Sequence, residues 1–172
     1  MVNNLIKLLN ILHKEERHQE IIDKIESLPN EEKTTEIIGI LARAYNNIDN
    51  YKKAIELLKS IEKTEGNTYI WNYRIAYSYY YLDNYLKAKK YFSKAIEINP
   101  NEADSHLFLC WTYQELSNKE NENYEKAIKY INKSLEYLNS YSKLQPKEDI
   151  KDELIFSEER LGWLYNKLKN YV

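Results

Sequence analysis

The sequence predicts an all-α fold of repeated antiparallel helix pairs, and three observations predict it. The chain of 172 residues contains only three glycines and three prolines, and 30% of its residues are charged. Apolar residues recur at steps of three and four, the period of a helix with one buried face. Similar segments also return along the chain, namely "DNYKKAIELLKSI" from Asp49, "DNYLKAKKYFSKAIEI" from Asp83 and "ENYEKAIKYINKSLEY" from Glu122. Such repetition is typical of helix pairs stacked into a solenoid.

The repeat has a period of 34 residues, because Ala54 and Ala88 lie 34 positions apart in matching segments. Ala127 occupies the same place in the third segment but follows Ala88 by 39 positions, so five additional residues lie in the preceding turn. The period also holds for three tyrosines that close the first helix of each pair, Tyr45, Tyr79 and Tyr113. A 34-residue period is long enough for two helices and two turns.

The segment from Tyr69 to Glu102 resembles the tetratricopeptide repeat family. The residues that carry the resemblance are Ile75, Ala76, Tyr79, Ala88, Phe92, Ala95 and Pro100. One position departs from the pattern, since Trp71 stands one place before the family's aromatic residue and Asn72 fills that place. The resemblance implies a right-handed α-α superhelical solenoid that takes part in protein–protein interaction.

The whole chain, 1–172, is predicted to be a single domain of this kind. The expected repeats are a degenerate copy at 2–34, copies at 35–68 and 69–102, a copy at 103–145 with the turn insertion, and an incomplete final copy at 146–172. Asn50, Asn84 and Asn123 each stand where a turn should end, and asparagine caps helices well. Pro146 is expected in the first turn of a long final helix.

Small residues are predicted where the two helices of a pair cross, because a large side chain would hold the helices apart. These residues are Ala42, Ala76, Cys110 and Gly162. Cys110 is the only cysteine, so it is interpreted as a core residue, and an internal disulfide is excluded.

Composition narrows the class of partner. A net charge of −2 gives no basic field for nucleic acid or for anionic lipid. No apolar run reaches the ~20 residues of a membrane span, and the N-terminal segment reads as an amphipathic helix, so a cytoplasmic location is expected. The three histidines are scattered, and no catalytic motif occurs. The sequence therefore predicts neither an enzyme nor a cofactor or metal site.

Tyrosines concentrate between residues 73 and 92, and they cannot all face the core. Trp71, Ile75 and Tyr79 share one helix face, whereas Tyr73 and Tyr77 fall on the other. In a solenoid the first helices of successive repeats line the concave surface, which predicts a ligand-binding groove. The candidate groove residues are Arg43, Asn46, Tyr73, Arg74, Tyr77, Tyr80, Tyr81, Leu107, Trp111, Gln114 and Trp163.

Two interpretations of this groove remain open. Tyrosine and tryptophan dominate binding hot spots, which favours a surface that binds a peptide or protein segment. Alternatively, the tyrosines reflect a biased composition and pack against one another. The alternative function is a structural or self-association role, as part of a longer array or as a homo-oligomer formed through the C-terminal end. A subset of the family grips carboxylates with Lys and Asn, where this chain has Gly39 and Arg43, so that clamp is not predicted here.

Overall fold

The computed structural model describes residues 2–170, with side-chain surroundings from Asn4 onwards. The described residues form ten α-helices and one short 3-10 turn, with no strand among them. The helices are α1 (Val2–Lys14), α2 (His18–Glu26), α3 (Thr35–Asn47), α4 (Tyr51–Ser60), α5 (Glu62–Glu65), α6 (Tyr69–Tyr81), α7 (Tyr85–Ile98), α8 (Ala103–Lys119), α9 (Tyr124–Leu144) and α10 (Lys151–Lys169). The predicted all-α class is confirmed.

The chain divides into two compact units between Leu82 and Asp83. The first unit contains α1 to α6, and the second contains α7 to α10. Over the described part of the chain, no helix is at once long enough and apolar enough to traverse a bilayer.

The predicted asparagine caps are present at the start of α4, α7 and α9. The side-chain oxygens of Asn50, Asn84 and Asn123 each accept a hydrogen bond from the backbone N–H three residues later. The left-handed residue of the first two turns is the preceding aspartate, with φ of 62° at Asp49 and 56° at Asp83. Asn50 and Asn84 themselves have negative φ, so their part in these turns is that of caps.

The core of the first unit is aliphatic and lies where α1, α2, α3 and α4 meet. Leu9, Leu12, Ile25 and Ile37 are almost completely buried in it. Apolar residues at steps of three and four place these side chains on the inner faces of their helices, so their burial follows from the sequence pattern.

The second unit has two core clusters. Ala103, Cys110, Leu138 and Tyr141 pack between α8 and α9. A second cluster holds α10 against α9 through Ala127, Ile128, Ile131 and Leu164. The predicted core position of Cys110 is confirmed, and burial raises the pKa of its thiol to about 12.

The turn insertion mostly extends a helix. α8 has 17 residues, whereas α3 and α6 have 13 each, so most of the additional residues form another helical turn. Ser117, in this turn, is completely buried, and its carbonyl oxygen accepts a hydrogen bond from Arg160 at 2.8 Å. The start of the insertion is therefore packed against α10, whereas residues 121–123 are exposed.

Two expectations for the C-terminal region were wrong. Pro146 lies outside α10, in a turn where the N–H of Glu148 donates to the carbonyl of Gln145 at 3.1 Å. Gly162 is exposed, and a Cβ placed there would meet no atom within 4 Å, so it marks no helix crossing.

Candidate functional site

A cleft of about 430 Å³ opens on the first unit between the N-terminal halves of α3 and α6. We call it the apolar cleft. Ile40 and Ile70 provide apolar walls, Gly39 leaves space between them, and Trp71 lines the cleft with a ring that is 2% exposed. Ile70 is 55% exposed, although it stands beside the buried Trp71 in the sequence. An exposed branched aliphatic side chain at the mouth of a cleft is suited to bury apolar surface of a ligand.

Arg74 crosses from α6 to α3 at the floor of this cleft. Its Nη1 donates a hydrogen bond to the carbonyl oxygen of Gly39 at 2.8 Å. A Cβ at position 39 would lie 3.2 Å from the same nitrogen, so glycine permits this close approach. Burial and, to a lesser extent, the charge of the nearby Arg43 lower the pKa of Arg74 to about 10.

Asn46 and Gln114, two predicted groove residues, are buried and bonded between helices. The Asn46 amide nitrogen donates to the carbonyl of Arg74 at 3.2 Å, and its oxygen accepts from Ser78 Oγ at 2.7 Å. In the second unit, the Gln114 amide nitrogen lies 3.2 Å from Ser157 Oγ. Both amides therefore hold one first helix to the next, and they offer little surface to a ligand.

The predicted tyrosines of α6 form a row of adjacent rings. Tyr73 and Tyr77 have centroids 6.4 Å apart, and Tyr77 and Tyr81 have centroids 4.6 Å apart. Tyr51, at the start of α4, stacks on Tyr81 at 5.1 Å. Tyr80 meets Tyr81 edge-on at 5.3 Å. The row is thus partly buried by its own members, and burial raises the pKa of Tyr77 above its usual value.

The remaining predicted residues belong to the second unit. Leu107 and Trp111 are partly buried against the cluster that contains Cys110. Trp163 is 44% exposed; Tyr124 meets its ring edge-on, and the Arg160 guanidinium lies over it at 4.6 Å. The same arrangement occurs in the first unit, where Tyr51 packs against Tyr77 and Tyr81. In both units the tyrosine that follows a capping asparagine contacts the first helix of the next pair.

A second cleft of the first unit, about 640 Å³, is polar and lies between α1, the start of α2 and the end of α3. We call it the basic cleft. It is lined by Asn10, His13, Lys14, Glu16, His18, Arg43 and Asn47. The Asn47 amide nitrogen lies 3.2 Å from Nε2 of His18, and the two histidine rings are 5.2 Å apart.

Two cations line the basic cleft without a hydrogen-bonded acceptor among residues 4–170. Neither Lys14 nor Arg43 forms a hydrogen bond or ion pair with another described residue. Burial lowers the pKa of Arg43 below its usual value. Burial, followed by the charge of Arg43, lowers the pKa of His13 to about 4, so this imidazole is neutral at pH 7.

The sequence did not indicate the basic cleft. A spacing of five places His13 and His18 on different faces of a continuous helix, and for that reason no site was predicted. The chain instead reverses between them through Glu16, which has a φ of 58°. The sequence feature that could have indicated the cleft is the run of polar residues at the end of α1, because such a run ends the helix and permits a tight chain reversal. Ile70 is not among the candidate groove residues predicted from the sequence.

These features define a class of protein in which antiparallel helix pairs are repeated and clefts open on the first helices of the pairs. The tetratricopeptide repeat family model matches residues 71–102. No curated protein is significantly similar to the sequence. The family resemblance seen in the sequence is confirmed over these residues. Tetratricopeptide repeats generally serve as non-catalytic interaction modules, which supports a protein–protein interaction scaffold.

Solved structures share this fold. A structure of MamA from Desulfovibrio magneticus has a TM-score of 0.63 at 15% identity, over 98% of this chain and 96% of the other. A thermophilic tetratricopeptide-repeat protein of Thermus thermophilus has a TM-score of 0.61 at 17% identity, over 94% and 90%. The first tetratricopeptide domain of Spaghetti (RPAP3), bound to the HSP90 peptide SRMEEVD, has a TM-score of 0.51 at 14% identity, over 80% and 94%. The predicted helical solenoid fold is thereby confirmed.

Proposed function

We propose that the protein is a non-catalytic, cytoplasmic interaction module whose first unit binds an extended segment of a protein partner in the apolar cleft. The observation that carries the proposal is the exposed Ile70 beside the buried Trp71 at the mouth of that cleft. The RPAP3 domain, which has the same fold, was solved with a bound peptide, and this supports the same mode of use here.

The chemistry of the cleft defines the kind of segment. Ile40 and Ile70 suit an aliphatic or aromatic side chain, and Gly39 lets a backbone approach α3 closely. Thr35, Glu36 and Glu65 add polar groups at the rim. Tyr73 and Tyr77 continue along the same helix, and rings already held by their neighbours lose little entropy when a ligand contacts them.

The test places a photocrosslinking amino acid at position 70 and recovers partners from a lysate of the source organism. The crosslinked segment is then synthesised and titrated while the intrinsic fluorescence of the three tryptophans, Trp71 among them, is recorded. We expect Ile70→Asp to weaken binding by about tenfold or more, because a charge would be desolvated in an apolar contact.

Leu86→Asp is the matched control. Leu86 is 62% exposed on α7, lines neither cleft, and receives the same change of charge and polarity. Its titration should match that of the unmodified protein. Equal weakening by both substitutions, or equal crosslinking from positions 70 and 86, contradicts the proposal.

Self-association through α10 is a second candidate function, favoured by one observation. Leu154, Ile155, Phe156 and Tyr165 are exposed on this helix, although its Leu164 is completely buried against α9. Exposed apolar side chains on one helix can be covered by a second copy.

Sedimentation velocity over a roughly hundredfold range of concentration tests this candidate. We expect the sedimentation coefficient to rise with concentration, and Ile155→Asp to abolish the rise. Leu86→Asp should leave it unchanged. A coefficient that is constant over the whole range contradicts self-association and leaves the segment-binding proposal untouched.

A further inference from the structure

The basic cleft combines unpaired cations with neutral donors. Lys14 and Arg43 both line it, and neither forms a hydrogen bond or ion pair with a described residue, although the charge of Arg43 interacts with Tyr73. By contrast, the neighbouring Arg17 is exposed and paired with Glu15 and Glu20. A partly buried arginine without an acceptor has lost hydration that no protein group replaces, and an anion restores that interaction.

The number of donors indicates the kind of anion. A carboxylate has two oxygens, whereas a phosphate monoester has three terminal oxygens and carries close to two charges at neutral pH. The cleft offers the guanidinium of Arg43, the ammonium of Lys14, the amide of Asn10 and one N–H from each neutral imidazole. Glu16 is the one acid in the lining, so the cations outnumber the acids.

We propose that the basic cleft binds a phosphate monoester, with Arg43 as the bidentate anchor and with His13, His18 and Lys14 completing the set of donors. The volume of about 640 Å³ leaves room for the group to which the phosphate is attached. That group belongs either to a phosphorylated side chain of a bound protein or to a small phosphorylated molecule. The inference depends on other residues than segment binding, because Ile70 and Trp71 do not line this cleft, although Asn10 lines both clefts.

Histidine side-chain NMR of the full chain tests the proposal with inorganic phosphate as the probe. The chain has three histidines, and His106 lies in the second unit, bonded to the carbonyl of Pro100, so it is an internal control. In a titration at pH 7 and constant ionic strength, the ring signals of His13 and His18 should shift and saturate, while those of His106 stay in place. Shifts that grow linearly, or that are equal at all three rings, contradict the proposal.

Matched arginine variants separate specific binding from general charge. Arg43→Gln should weaken phosphate binding by about tenfold or more, since it removes the bidentate contact. Arg17→Gln removes the same charge near the cleft without touching its lining, and should change the affinity less than about twofold. Lys14→Gln provides a second lining variant, with an intermediate loss. Equal titrations for Arg43→Gln and Arg17→Gln overturn the proposal.

Two further ligands identify the source of the phosphate. One is a five-residue alanine peptide with a central phosphoserine, and the other is glycerol 3-phosphate. Tighter binding of the peptide supports a phosphorylated protein, and tighter binding of glycerol 3-phosphate supports a small molecule. If the same peptide without its phosphate binds as tightly, the proposal is wrong. Ile70→Asp should leave every one of these titrations unchanged, so the segment proposal and this one fail separately.

Discussion

Replacement of Trp71 by alanine is expected to lower the free energy of unfolding by about 3–5 kcal/mol, the range for deletion of a large buried aromatic side chain. The indole ring is 2% exposed between α6 and α4, and its Nε1 donates a hydrogen bond to the carbonyl oxygen of Leu58 at 2.7 Å. The substitution removes this packing and also one of the donors to the Leu58 carbonyl, which keeps the N–H of Ile61 at 3.2 Å. Urea denaturation followed by far-ultraviolet circular dichroism measures the change.

Ile70→Ala is the control, because Ile70 precedes Trp71 on the same helix and is mostly exposed. It should cost about 1 kcal/mol or less. Trp71→Phe keeps part of the ring volume and loses the hydrogen bond, so its cost should lie between the other two. If Trp71→Ala and Ile70→Ala unfold at the same urea concentration, the assignment of these two faces of α6 is wrong.

Helix positions and caps could be predicted because they depend on local chemistry. An asparagine cap requires only its own side chain and the N–H three residues later, and Asn50 forms this bond as expected. The start of α10 could not be predicted in the same way, since proline tolerates both the first helical turn and a tight turn. The second outcome prevails: Ile150 packs into a core cluster, and Asp149 accepts a hydrogen bond from the N–H of Lys151 at 2.9 Å.

The candidate groove residues show that helical periodicity is insufficient to predict which side chains are accessible to a ligand. The period places Asn46 and Gln114 away from the core of their own helix pair, but it carries no information about the next helix. Ser78 and Ser157 approach these amides from neighbouring first helices and bury them. The basic cleft was missed for a related reason, because His13 and His18 meet through a chain reversal.

The tyrosine row bears on both interpretations of the groove, as a binding surface and as tyrosines that pack against one another. Helical periodicity does not group Tyr51 with the tyrosines of α6, since it belongs to another helix and lies more than twenty positions earlier. Its ring nevertheless lies 6.3 Å from Tyr77 and 5.1 Å from Tyr81. Packing of tyrosines against one another therefore exists, as the compositional interpretation expects. The same rings remain partly accessible, so a role in binding stays a prediction.

Replacement of Phe92 by alanine is the second change with a large expected effect, about 3–5 kcal/mol of unfolding free energy. The Phe92 side chain is completely buried on α7, and its ring stacks on Phe108 of α8 with centroids 5.4 Å apart. Alanine would leave a cavity lined by rigid helices that cannot close around it without moving the backbone, so the cost includes lost contacts as well as lost burial. Thermal and urea unfolding of the purified variant measure the loss.

Two matched variants define what the Phe92 result means. Leu86→Ala truncates a side chain of the same helix that is 62% exposed, and should change stability by about 0.5 kcal/mol or less. Phe92→Leu keeps an apolar side chain and removes the stacked ring, so it should lose less than alanine but more than the Leu86 variant, in proportion to the volume removed. If Phe92→Leu is as stable as the unmodified protein, the stacking of the Phe92 ring on Phe108 does not contribute to stability. Should Phe92→Ala match Leu86→Ala, then α7 does not present its Phe92 face to the core of the second unit.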